Sequence, residues 1–370
     1  MSRLSRSAKA VVVAASLIGP PTLAAPIALS DAQLGAVSAG VKFNITNQVS
    51  DQAGAANVTD PLLVNAWGLS QGPGTLLWVA NNGSNTSTIY DPSTFAKAPL
   101  NVNVPGAPTG TTFVGVGNAF NVSEGGKMGN TIFAFATEGG QLEGWNPTVD
   151  AQNAIVAKTI DGAIFKGLTL GSNGAQALLF ASDFGHGAVS AFDSGFNQVN
   201  SFTDPNLPPN YVPFNVQNLN GELYVTFALK QPGDKDETAG KGLGFVDVFD
   251  TAGHFERRLI SNGKLNAPWG LAIAPQSFGK FAGALLVGNF GNGKINAYNP
   301  VTGEWLGQVK DLAGNPSIDG LWALHTGPNG TIIFSAGPND ETHGLVGTIQ
   351  PAGMRMWGRD QVANMAMMHH

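Results

Sequence analysis

Polar side chains stand at the ends of short apolar runs in this chain, at positions that a closed array of sheets would bring to one rim: Asn65, Asn81, Asn82, Glu138, Asp183, His186, Asn215, Asn289, Asp319, Asn339, Asp340, Glu341 and His343. Carboxylates and amides converging on one opening are what a hard cation prefers, since calcium takes six to eight oxygens from carboxylates and carbonyls. Glu138, Asp183, Asn215, Asn289 and Asp319 are the expected metal ligands, with Ca2+ as the expected ion, and Asn65, Asn82, Asn339, Asp340 and Glu341 the expected ligand-binding groups. Each also has an ordinary alternative, because Asx side chains at strand ends commonly bond their own turn backbone. His186 in DFGHG and His343 in ETHG closely follow acids, so His186, His343 and Asp183 are the candidates for proton transfer or metal ligation. The alternative for both histidines is an exposed loop residue, and two histidines make no zinc site without a third ligand. No HExxH helix motif is present. The string GNFGNGK (Gly288 to Lys294) reads as a hairpin turn rather than a phosphate loop.

The elements that must position these groups recur six times. The copies run Asn65 to Asn82, Pro108 to Glu138, Phe165 to Phe184, Pro213 to Leu229, Ala267 to Phe290 and Ile318 to Gly337, each pairing a strand around Trp-Gly-Leu or its equivalent with a second strand ending near Asn or an acid. Their starts lie about 45–55 residues apart, the period of a four-stranded propeller blade. A third, alternating strand follows in most copies, as in TSTIYD, QLEGWNP, AVSAFD, GFVDVFD and KINAYNP. The expected fold is therefore an all-β, six-bladed β-propeller of four-stranded blades, a single domain over residues 41–350. VKFNITNQVS (Val41 to Ser50) precedes the first copy and is expected to latch the ring as outer strand of the last blade. Trp67, Trp269 and Trp322 recur at one repeat position and are expected to pack between blades; Trp145, Trp305 and Trp357 leave a carbohydrate role open.

Composition agrees. With 49 Gly, 22 Pro and 12% charged residues, the chain suits tight turns and a large apolar interior. A net charge of -6 with no Lys/Arg run argues against a nucleic-acid partner. Residues 1–25 carry Arg3, Arg6 and Lys9, an apolar stretch, Pro20-Pro21 and the small-residue site TLAA, the order of a signal peptide, so the expectation is an exported protein, periplasmic or extracellular, without a transmembrane anchor in the mature chain. Residues 26–40 read either as a leader-like segment or as a flexible extension. With no Cys, stability must come from packing and ring closure. The tail 351–370 holds Met354, Met356, Met365, Met367, Met368, His369 and His370, a thioether and imidazole set suited to copper, against the default of a disordered chain end.

The stretches LVNAWGLS, FATEGGQLEGWNP, FKGLTLG, ASDFGHGAVSAFD, PNYVPFNVQNLNGELYVTFA, GKGLGFVDVFD, LNAPWGLAIAP, LLVGNFGNGKINAYNP, IDGLWAL and SAGPNDETHGLVGTI carry a resemblance. From about Asp60 to Ile349 the chain resembles a family of exported bacterial proteins of unknown function described as β-propellers, with NHL-repeat propellers and calcium-dependent lactonases similar by fold analogy. It departs in the second copy, where VGVGNAFNVSEGGK (Val114 to Lys127) replaces a shorter stretch. The expected function is an exported binding or scaffold propeller whose polar pore mouth takes a cation, small molecule or extracellular partner. The alternative is a metal-dependent hydrolase of the lactonase or esterase type, in which the cation polarises a carbonyl and an acid or histidine activates water.

Overall fold

The computed structural model describes residues 42–353, apart from 116, 118, 119, 315 and 316. The signal-like segment 1–25, the segment 26–40 and the Met/His-rich stretch 354–370 lie outside the described residues.

The described residues are all-β, with only short 3-10 turns between strands. Unit one is the antiparallel run Ala66–Ser70, Leu77–Asn81, Thr86–Tyr90 and Lys97–Asn103. Unit two is Pro108–Phe113, Phe133–Thr137, Gln141–Asn146 and Asp150–Thr159, and unit three Phe165–Ser172, Ala177–Asp183, Ala188–Phe192 and Gln198–Phe202. Unit four is Tyr211–Leu219, Glu222–Lys230, Phe245–Phe249 and Phe255–Ser261, with the short strand Glu237–Thr238 added beside Glu222–Lys230. Unit five is Pro268–Ile273, Leu285–Asn289, Ile295–Tyr298 and Trp305–Gln308. Unit six takes Leu321–Thr326, Ile332–Ala336 and Leu345–Pro351, and Phe43–Ser50 pairs antiparallel with the last of these from Phe43 opposite Pro351 to Ser50 opposite Leu345. The departure in copy two forms an extra hairpin, Asn121–Glu124 with Lys127–Asn130. Among the described residues no helix is long and apolar enough to cross a membrane.

The repeat motif explains how these sheets pack. Every first strand has a register irregularity at its Trp-Gly-Leu position, for example between Ala66 and Leu69, Phe165 and Gly167, and Pro268 and Gly270. A bulge there bends the strand and re-aims its side chains. The motif glycine is needed because neighbouring first strands touch: a Cβ on Gly68 would lie 2.4 Å from the Thr109 carbonyl oxygen, and one on Gly110 2.2 Å from the Leu168 amide nitrogen. Hydrogen bonds stitch the same contacts, with Thr109 Oγ1 donating to the Phe165 carbonyl (2.7 Å) and Asn215 Nδ2 to the Trp269 carbonyl (2.8 Å). First strands pack in sequence from unit one to unit six, and Leu321–Thr326 packs back against Ala66–Ser70.

Outward from the motif, each pair of consecutive units buries its own apolar cluster. Trp78, Phe133, Phe135 and Trp145 fill the contact of units one and two, and Phe180, Val216, Val225 and Phe245 that of units three and four. Fully burying such a side chain contributes about 1.5–3 kcal/mol. The third strands end in Asx turns: Asp91 Oδ1 accepts from the Ser93 and Thr94 amides, and Asp193, Asp250 and Asn299 cap their turns in the same way.

Candidate functional site

The motif tryptophans do not each separate two blades, as the repeat position suggested; they meet one another. Trp67 and Trp322 stack with centroids 3.6 Å apart, Phe290 stacks on Trp322 at 4.0 Å, and Trp269 stands edge-on to Trp67 and Trp322 at 6.1 and 5.8 Å. Phe184 and Phe214 join the same buried cluster. Below it, a cavity of about 10 Å3 is lined by Gly68, Gly110, Leu168, Asn215, Leu271 and Leu324, one from each first strand. That is room for about one water, so the place where the first strands converge is plugged rather than open.

On this plug sits a residue that reading the strand-end acids and amides missed. Lys166 occupies, in FKGL of unit three, the position that Trp holds in AWGL and PWGL. Its side chain is 1% exposed, and its ammonium lies over the Trp67 and Phe184 rings at 5.1 and 5.6 Å. Trp269 Nε1 donates to the Lys166 carbonyl (3.1 Å), which fixes the backbone beneath it. The ammonium bonds Glu138 Oε1 (2.5 Å) and Asp236 Oδ1 (2.9 Å). Burial alone would depress its pKa, but the two carboxylates outweigh burial and hold it above the ordinary lysine value.

A polar chain extends from this ion pair. Asn82 Nδ2 donates to Glu138 Oε2 (2.9 Å), and Asn65 Nδ2 donates to Asn82 Oδ1 (3.2 Å) and Glu341 Oε2 (2.6 Å). Asn65 Oδ1 accepts the Trp322 indole N–H (3.0 Å), tying the chain to the aromatic plug. Glu341 arrives on three successive left-handed residues, Asn339, Asp340 and Glu341 (φ 57°, 51° and 62°), a backbone that costs energy for residues with a Cβ. Burial raises the Glu341 pKa, against the Asn65 hydrogen bond and Lys166. Burial pushes Glu237 up to about 7, with Lys166 opposing and Glu341 and Asp236 adding to the rise. Glu138, Asp236, Glu237, Glu341 and Asn82 all follow second strands, of units two, four, six and one, so one end of the sheet array gathers them. A depression of about 570 Å3 opens beside Glu138, Gly139, Gly162, Lys235 and Asp236.

The five expected metal ligands are not brought together, and among the described residues no three His, Cys, Asp or Glu are placed to hold a metal. Only Glu138 belongs to the mouth. Asp183 Oδ1 accepts the Ile164 and His186 amides and its Oδ2 meets His186 Nδ1 at 2.7 Å, bracing a turn. Asn215 holds the Trp269 carbonyl and caps its own strand at the Val216 amide. Asn289 accepts from the Asn266 amide and donates to the Lys264 carbonyl, and the exposed Asp319 caps the Asn339 amide. The oxygens expected to wrap Ca2+ are thus committed elsewhere, and the cationic centre of the mouth is the Lys166 ammonium. Of the ligand-binding set, Asn65, Asn82 and Glu341 meet in the network, Asn339 bonds Thr342, and Asp340 is exposed. His343 Nδ1 bonds Asp51 Oδ2 (2.8 Å) rather than His186's partner, so the two histidines serve separate turns. Trp145 is buried between units one and two, Trp305 is exposed, and Trp357 lies outside the described residues.

No family model matches the chain. Among solved structures, a streptogramin B lyase superposes with TM-score 0.52 at 11% identity, covering 84% of this chain and 97% of that one. A nidogen/laminin complex gives TM-score 0.50 at 10% identity over 77% of this chain and 97% of that one. The fold is that of a β-propeller. In sequence, the chain is 33% identical over 329 residues to uncharacterized protein R648 of Acanthamoeba polyphaga mimivirus, covering 83% of this chain and 80% of that one. Protein L690 of the same virus is 31% identical over 329 residues, at 83% and 85% coverage. The chain belongs to the family of these mimivirus proteins, which corrects the expectation of bacterial relatives.

Proposed function

We propose that this protein is a six-bladed β-propeller, latched by Phe43–Ser50, that is exported and binds a small organic cation at the mouth around Lys166. The closed ring is supported by Leu321–Thr326 packing on Ala66–Ser70 and by pairing of Phe43–Ser50 with Leu345–Pro351. Export rests on the charged, apolar and small-residue order of residues 1–25.

The observation that carries the binding reading is charge imbalance. Four carboxylates, Glu138, Asp236, Glu237 and Glu341, act on the one buried ammonium of Lys166, and two of them, Glu138 and Asp236, line the depression of about 570 Å3 together with Lys235. Excess carboxylate around an accessible hollow attracts a second cation, and low-dielectric walls strengthen that attraction. Lys166 anchors Glu138 and Asp236, so the site is held in shape before a ligand arrives. The hydrolase alternative is not favoured: His186 and His343 are engaged by Asp183 and Asp51, and among the described residues no Ser, Thr, Cys or His lines the hollow.

Calorimetric titration with 1,4-diaminobutane, calcium chloride and neutral glucose tests the proposal. The diamine is expected to bind, and Glu341→Gln combined with Asp236→Asn to weaken it at least tenfold. Absence of binding by either cation to the wild type would remove the reading.

A further inference from the structure

A second hollow, of about 340 Å3, lies where the connection from unit four meets the outer edge of unit five, and it shares no lining residue with the depression beside Glu138. Its polar lining is Lys241, Lys264, Lys294, Asn292, Asn296 and Gln308, and its aromatic wall is Trp305. Among the described residues no Asp or Glu lines it, in a chain whose net charge is -6. None of the three lysines is in an ion pair among the described residues; Lys264 lies over the Trp305 ring at 5.2 Å.

The hollow is held in place by buried amides. The fully buried Asn289 donates to the Lys264 carbonyl (2.8 Å), and Asn266 Oδ1 accepts the Gly240 amide (2.7 Å) beside Lys241. Asn292 Oδ1 accepts the Lys294 amide (3.2 Å), and Gly293 takes φ +64° where a Cβ would lie 2.1 Å from the Ile318 carbonyl oxygen. Trp305 is 46% exposed, yet its indole N–H is fixed on Asn296 Oδ1 (3.2 Å), and Asn296 is itself buried. An exposed indole held in one orientation costs little entropy when a flat partner stacks on it.

We propose that this hollow binds an acidic saccharide. Trp305 takes the C–H face of a pyranose ring, Lys241, Lys264 and Lys294 hold its carboxylate or sulfate, and the amides of Asn292 and Gln308 meet its hydroxyls. The volume lies within the range of small-molecule sites, about 300–1,000 Å3. Uncompensated cations exclude a cationic ligand here, and a bare anion leaves the indole unused.

The probes are a galacturonic acid trisaccharide, the neutral galactose trisaccharide, inorganic sulfate and AMP, each titrated calorimetrically into the wild type, Lys241→Ala/Lys294→Ala, Trp305→Ala and Trp305→Phe. The acidic trisaccharide is expected to bind at least tenfold more tightly than the neutral one. Both Ala variants should weaken it at least tenfold, Trp305→Phe should restore most of the loss, and melting temperatures should stay unchanged. Sulfate binding as tightly as the trisaccharide, AMP binding more tightly, or undiminished affinity in the lysine variant would each overturn the proposal.

Discussion

Glu143 should make this protein less stable as pH rises from 5 to 7. The residue is fully buried at the contact of units one and two, opposite Phe135, and neither carboxyl oxygen has a hydrogen-bond partner. Burial pushes its pKa from 4.5 to about 8, so the folded protein holds the proton at neutral pH while the unfolded chain releases it. A raised acid pKa contributes its stability below the unfolded value, and that contribution is lost between about 4.5 and 8. Ionising a carboxyl of ordinary pKa favours the unfolded chain by about 3.4 kcal/mol at pH 7 and about 0.8 kcal/mol at pH 5, so the wild type loses about 2.5 kcal/mol over that interval through this residue. That is a large share of a net stability of about 5–15 kcal/mol. Asp247 and Glu237, each raised to about 7, act in the same direction, so the measurement is a difference. Urea unfolding of wild type and Glu143→Gln at pH 5, 6 and 7 should give a stability gap that moves by about 2.5 kcal/mol in favour of the variant. Parallel pH profiles for the two proteins would refute the reasoning.

Trp269→Ala should cost about 3–5 kcal/mol by opening a cavity in the aromatic plug, and equal urea midpoints for variant and wild type would show that the plug is not stabilising. Gly167→Ala places a methyl 2.1 Å from Asn215 Oδ1 and should cost about 1–3 kcal/mol, read as a lowered melting temperature. Deleting residues 42–50 leaves the edge of Leu345–Pro351 unpaired and should yield aggregates on size-exclusion chromatography; a monomer with unchanged melting temperature would count against a latch. Affinity for 1,4-diaminobutane should rise between pH 6 and 8 as Glu237 ionises, and a flat profile would dissociate Glu237 from the mouth.

Much of the strand architecture was legible because its period is written in residues that sheets and turns require. The six copies fall on the first and second strands of the six units, and the Asp and Asn after third strands cap their turns. Less legible was what the motif glycines do. Their need appears only when Thr109, Leu168 or Trp322 of the neighbouring unit is seen within 2.9 Å of the missing Cβ. The departure in the second copy has a local cause: Gly125-Gly126 bends its inserted residues into a hairpin of their own, outside the repeat's four strands.

The site was half legible, and the missing half has one cause. Strand-end acids and amides were sought as metal ligands by residue type, but type does not reveal direction. Asn215 and Asn289 point along the backbone and satisfy carbonyls, while Glu138, Asn65 and Glu341 point to the mouth. The signal that locates the centre is a break in the repeat: Lys166 stands where Trp67, Trp269 and Trp322 stand in other units. A buried ammonium in an aromatic position is costly unless carboxylates converge on it. The connections after the second strands of units two and four supply Glu138 and Asp236. The repeat thus fixes where the acids can reach, and the one cation at this repeat position decides which of them become a site.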